Sequence, residues 1–189
     1  MKRFIKFFII SALAAGALNA TTYEADAAHS SIGFTVKHLK ISKVTGNFKA
    51  YNAVFDYDRN ANELKSLEAT IKADSVNTQN QNRDKHLIDE DFLDTQKFPE
   101  IKFKMTKFQK DGASEGKVYG DLTVKNITKP VVLDFEYNGD STDMQGKEVI
   151  GISLDGEILR TEFKVGESYP DITISNKINL NIEIEAKIK

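Results

Sequence analysis

Apolar residues at every second position, in stretch after stretch, constrain this chain more than any other feature. Ile32, Phe34, Val36 and His38 share one side of an extended segment, with Ser31, Gly33, Thr35 and Lys37 on the other. Leu67, Ala69, Ile71 and Ala73 repeat the pattern, then Ile101, Phe103 and Met105, and then Gly120, Leu122 and Val124. Val131, Leu133, Phe135 and Tyr137 form another row, and Ile150, Ile152 and Leu154 the next. The last is the longest: Ile172, Ile174, Ile178, Leu180, Ile182, Ile184 and Ile188, with Asn176 the polar interruption. Neighbouring side chains of a strand point to opposite faces, so each row predicts a strand with one apolar face. With the stretch from Val44 to Tyr57, about eight strands are expected.

Turn chemistry separates them. Asp58 to Asn62, Asp111-Gly112 and Asn138-Gly139-Asp140 all favour tight reversals, because Asn, Asp and Gly tolerate positive φ. Such spacing fits sequential antiparallel strands rather than βαβ crossovers. The exception is Asn80 to Asp94, a charged segment that Asn80 or Asn82 can cap as a helix and that Pro99 stops from continuing. It falls between the third and fourth strands. An antiparallel sheet of this size hides its apolar face by closing into a barrel or by packing as a sandwich, and pattern alone does not choose. A polar plug on a closed sheet sits at the mouth of whatever the sheet encloses.

The N-terminus predicts export. Lys2, Arg3 and Lys6 precede an apolar run from Phe7 to Leu18, and Ala20 offers a small residue for cleavage. That run is too short to span a bilayer, which needs ~20 apolar residues, and it has the layout of a signal peptide over residues 1–20. Residues 21–189 then form one domain, with no composition break, repeat or second long apolar run, and a periplasmic location is expected. Removing three basic groups from 26 leaves 23 against 28 acidic ones. An acidic surface repels phosphate backbones, which argues against nucleic acid. There is no cysteine, so the fold rests on its core and its hydrogen-bond ladders.

The chain resembles the YceI-like family, exported bacterial proteins described as polyisoprenoid-binding and lipocalin-like. The resemblance rests on Tyr23-x-x-Asp26-x-x-His29-Ser30-x-Ile32-x-Phe34-x-Val36-Lys37-His38-Leu39 and Ser42-x-Val44-x-Gly46-x-Phe48. Asn77-Thr78, Arg83-Asp84-x-His86-Leu87, Asp91-Phe92 and Pro99-x-Ile101-x-Phe103 follow. Gly120-x-Leu122-Thr123, Ile127-Thr128-Lys129 and Ile158-x-Arg160-x-x-Phe163 complete it. Lys125-Asn126 stands where the family tends to have His-Gly, and Glu162-Phe163-Lys164 where it favours Asp-Phe-Gly. The resemblance implies an eight-stranded, lipocalin-like antiparallel barrel whose tunnel takes the chain of a long amphiphile, a polyisoprenoid lipid or fatty amide, often in a homodimer.

On that reading the tunnel is lined by Ile32, Phe34, Val36, Phe48, Leu67, Ile71, Leu87, Phe92, Phe103, Leu122, Ile152, Leu154 and Phe163. Burying about fifteen methylenes at ~0.8 kcal/mol each, less an association cost of ~4 kcal/mol, gives roughly micromolar affinity. His38 and Arg160 end apolar rows, where a tunnel opens to water. With Arg83, Asp84 and His86 they are the candidates for the ligand's polar end. The alternative for Arg160 is a structural ion pair, with Asp84 the first partner to consider. His29, His38 and His86 are the only histidines and have no metal-motif spacing, so neither metal nor cofactor is expected. No Gly-x-Ser-x-Gly or phosphate-cradling loop is present. The expectation is a binding protein, not an enzyme; the rivals are an enzyme using His86 with Asp84 or Arg160, and a barrel with a filled core.

Overall fold

The computed structural model describes residues 20–189, so all but Ala20 of the expected signal peptide lies outside the described residues. Among those residues no helix is long and apolar enough to cross a membrane. The strands are β1 (Thr21–Ala25), β2 (Ser31–His38), β3 (Ser42–Phe48), β4 (Tyr51–Asp58), β5 (Glu63–Lys72) and β6 (Val76–Asn77). After helix α1 (Gln81–Ile88) come β7 (Glu100–Lys110), β8 (Glu115–Val124), β9 (Ile127–Thr142), β10 (Glu148–Leu159) and β11 (Ile174–Ile188). They form one antiparallel sheet in the order β1-β4-β5-β7-β8-β9-β10-β11-β2-β3-β6, closed by pairing of β1 with β11.

The closure explains why eight rows in the sequence give eleven strands. β11 offers one edge to both β1 and β2: Ala186 pairs with Ala25, and Ile182 with Ile32. Between them the chain leaves the ladder at Asp26–Ser30, where the Ser30 hydroxyl and the Glu185 backbone exchange hydrogen bonds at 3.0 and 3.1 Å. The stretch expected as one strand from Val44 to Tyr57 likewise breaks at Lys49-Ala50 into β3 and β4. β1 with β2, and β4 with β3, each fill one position of an eight-position barrel, and α1 enters between its third and fourth long strands. Asn80 caps α1, its side chain accepting from the Arg83 N–H at 3.0 Å.

Two expectations are corrected. Asn138-Gly139 is not a turn but part of β9, opposite a register shift at Gly151/Ile152 that absorbs the positive φ of Gly139. The reversal comes later, with the Gly146 N–H bonded to the Asp143 carbonyl. Ile172 lies before β11 and is exposed.

One end of the barrel is solid. Tyr23, Phe55, Tyr57, Leu64, Val118, Phe135, Ile150, Ile152 and Ala186 are all buried there. Tyr23 stacks on Phe55 at 5.6 Å and Tyr57 on Tyr137 at 4.9 Å, while Phe108 meets Phe135 edge-on at 5.3 Å. This aromatic floor has a pH signature. Burial, with the Glu148 carboxylate accepting from its hydroxyl at 2.7 Å, pushes Tyr23 up to about 12. Burial pushes Tyr57 up to about 12 as well. Unfolded tyrosine ionises near ~10, so above that pH the unfolded chain loses protons that the folded chain keeps. The contribution is whole below pH ~10, and the melting temperature is expected to fall as pH rises from there towards 12. Among the described residues the Tyr57 hydroxyl has no hydrogen-bond partner. Tyr57→Phe is therefore expected to raise stability by ~1 kcal/mol at neutral pH and to flatten the alkaline fall; a lower melting temperature at pH 8 would refute this.

Candidate ligand-binding site

Above the floor the barrel is hollow. Leu67, Ala69, Phe103, Leu122, Leu133, Leu154 and Ile184 turn inward around a cavity of about 180 Å³. An apolar cavity of about 150 Å³ takes a benzene ring, so this one accepts a hydrocarbon segment of at least that size. The cavity is partly open to solvent, and no polar atom surfaces on its wall. A space of this lining does not hold water well, because water needs polar partners.

Most of the expected tunnel residues line it: Ile32, Phe34, Phe48, Leu67, Ile71, Leu87, Phe103, Leu122, Leu154 and Phe163. Phe34 packs against Phe48 at 5.8 Å. It lies close over Gly46, where a Cβ would fall 2.5 Å from its ring. Three of the expected residues do not line it. Ile152 sits one step too low, fully buried in the floor. Val36 is off the wall as well, although Ile178, opposite it on β11, lines the cavity. Phe92 belongs to the cap outside the wall, stacked on Tyr169 at 5.1 Å.

The wall also includes residues not singled out beforehand. Ala53, Val131, Leu180, Ile182 and Ile184 continue apolar rows, so the same period could have found them. Leu93 and Val165 come from irregular segments that carry no periodic signal.

The polar candidates do not meet at a headgroup pocket. Arg160 is 2 % exposed, and its five N–H donors all go to backbone carbonyls. Nε donates to Ser175 at 3.2 Å, Nη1 to Val165 at 3.0 Å and to Gly166, and Nη2 to Tyr169 at 2.6 Å and Ile174 at 2.9 Å. No donor remains for a ligand, and the partner is not Asp84. Burial lowers its pKa, opposed by the field of Asp171. Arg160 thus gathers residues 165–175 into a tight loop, while its stem joins the wall.

Arg83 and Asp84 brace the helix. The Asp84 carboxylate accepts from the Thr78 N–H at 2.8 Å and its hydroxyl at 2.5 Å, and Arg83 donates to the Thr78 hydroxyl at 2.7 Å and carbonyl at 2.9 Å. His86 is half exposed on the outside of the cap, 3.2 Å from the Tyr169 hydroxyl and edge-on to Phe92. His38 is exposed at the far end of β2.

The cap holds two segments together. The Gly166 N–H donates to the Asp91 carbonyl at 2.8 Å, and Lys125 Nζ reaches the carbonyls of Glu90 and Lys164. Gly166 has φ +56°, and a Cβ there would fall 2.6 Å from the Phe92 ring, so only glycine admits this contact without strain. Leu87 and Leu93 from the helical segment, and Phe163 and Val165 from the loop, close the cavity from above. The arrangement can enclose an apolar chain; among the described residues no acid, base or nucleophile faces the enclosed space.

A model of the YceI-like domain matches residues 23–186. A UPF0312 protein of Staphylococcus aureus (strain USA300) is 41% identical over 146 residues, covering 77% of this chain and 82% of that protein. The crystal structure of the Campylobacter jejuni YCEI protein is similar at TM-score 0.76 and 49% identity, over 81% of this chain and 90% of that one. A polyisoprenoid binding domain from Saccharophagus degradans shares the fold at TM-score 0.62 and 14% identity, over 89% and 99% of the two chains.

Proposed function

The chain belongs to the YceI-like domain family, and on that footing we propose that it binds the hydrocarbon chain of one amphiphile, a polyisoprenoid lipid or a fatty amide, within its barrel. The observation that carries this reading is a cavity of about 180 Å³ with no polar atom on its wall. Sequestration is the mechanism. Each methylene withdrawn from water contributes ~0.8 kcal/mol against an association cost of ~4 kcal/mol, so affinity rises about fourfold per methylene enclosed. A chain that also covers Leu87 and Phe163 at the cap binds more tightly. Because Arg160, Arg83 and Asp84 are committed to the protein's own backbone and side chains, the headgroup stays outside and contributes little.

The same wall argues for binding over turnover, since nothing on it can move a proton or attack a bond. In this reading residues 21–189 are one exported domain behind a cleaved leader, carrying their cargo through the periplasm. The test is native mass spectrometry of the mature protein purified from its own cells, with solvent extraction of anything bound. A stoichiometric adduct released as a long-chain lipid is expected, and the same spectrum reads whether the protein is a homodimer. A clean apo mass that also refuses added polyprenyl lipids and fatty amides would overturn the proposal.

A further inference from the structure

The tip of the β2–β3 hairpin works against its own folding in two ways. The Ile41 N–H closes the turn on the His38 carbonyl at 3.2 Å, and both central residues, Leu39 and Lys40, have positive φ, 52° and 61°. Turns of that hand are the preserve of Asn-Gly, and a bulky L-residue there is strained. One rung below, Lys37 lies directly opposite Lys43. Like charges in that position repel, and among the described residues neither has a carboxylate partner. Neither cost serves the barrel.

Together they place an unusual surface in water. Leu39 is 47% exposed and Ile41 85%, and the Leu39 N–H bonds to Thr173, next to Ile172 at 62%. Lys37, Lys40 and Lys43, with His38, share this hairpin end with Leu39 and Ile41, on a chain whose residues 21–189 carry 23 basic against 28 acidic groups. Among the described residues the one carboxylate touching the group is Asp171, on Lys40. The position is also pointed. Phe34, on the same strand, lines the cavity, so the tip stands beyond the hollow end of the barrel and away from its floor.

We propose that this tip docks on a bilayer surface carrying anionic lipid headgroups, with Leu39, Ile41 and Ile172 entering the interface and Lys37 and Lys43 meeting the headgroups. Exposed apolar side chains with lysines on the same hairpin suit such a surface. Three apolar side chains are far too few for a protein partner, which needs ~800 Å² on each side. Docking turns the hollow end of the barrel towards the membrane. The proposal does not depend on what the cavity holds.

The test uses residues 21–189, which carry every described strand and the helix, with vesicles of phosphatidylcholine alone or mixed with phosphatidylglycerol. Binding to the mixed vesicles is expected to be at least ~10-fold tighter and to weaken with salt, at about fivefold per lysine engaged. Lys37→Glu with Lys43→Glu should abolish that preference. Leu39→Asn with Lys40→Gly relaxes the turn, so it should raise the melting temperature while weakening vesicle binding ~10-fold. That opposite movement separates a docking role from a folding role. Equal binding to both vesicle types, unchanged binding by the variants, or a patch buried in a dimer whose dissociation the variants cause would each overturn the proposal.

Discussion

Replacing Arg160 with alanine is expected to lower the melting temperature by on the order of 10 °C and to expose residues 163–173 to proteolysis. The argument is one of donors. Five carbonyls that converge on one guanidinium lose their partner together, and they cannot turn to water without opening the loop. Each buried carbonyl left without a donor costs ~1–3 kcal/mol, so several together take a large share of the ~5–15 kcal/mol that holds a domain folded. Arg160→Lys should rescue little, because an ammonium has three donors and cannot span the same fork. Circular dichroism melts with limited proteolysis would decide the matter. A loss under ~2 °C would mean that the loop holds itself and that the guanidinium is free for some other purpose.

The second large effect concerns the cavity. Ala69 sits on β5, paired with Ala53 and Phe103, with its methyl on the wall. Ala69→Phe projects a ring into space that a lipid tail would use, and displaces about four to six methylenes at ~0.8 kcal/mol each. Affinity for a long-chain amphiphile should fall ~200- to 3,000-fold. Stability should hold or rise, because the ring fills a void without disturbing the floor. Fluorescence displacement with a polyprenyl or long-chain amide probe reads the first effect, and a thermal melt the second. Undiminished binding by a folded Ala69→Phe protein would show that the tail lies elsewhere.

The strands were legible because alternation is a direct consequence of backbone geometry, and it carried through nearly every row from Ile32 to Ile188. β1 escaped because Thr21, Tyr23 and Ala25 are too few to set a period beside the apolar leader. The break at Lys49-Ala50 escaped because it preserves alternation on both sides. Asn138-Gly139 was misread because the chemistry that makes a hairpin also makes a bulge, and only the partner strand, with Gly151 opposite, decides between them.

At the site, facing was legible and depth was not, as Ile152 shows. The polar residues were hardest. Arg160 at the end of an apolar row reads as a ligand contact, yet its partners are backbone carbonyls of residues 165–175, which no side-chain pattern announces. Arg83, Asp84 and Thr78 form a brace for the same reason: satisfaction of buried polar groups is a property of the folded arrangement.

The division of the barrel into a packed aromatic floor and a hollow upper half separates two jobs that most small domains ask of one core. Tyr23, Phe55, Tyr57 and Phe135 fill the lower half, while Ala53, Ala69, Leu122 and Leu154 line the hollow one or two rungs higher. Exchanging one aliphatic side chain for another on those upper rungs changes the length and girth of what fits and leaves the lower rungs intact. Such a scaffold can drift from one cargo to another by small steps, each of which still folds.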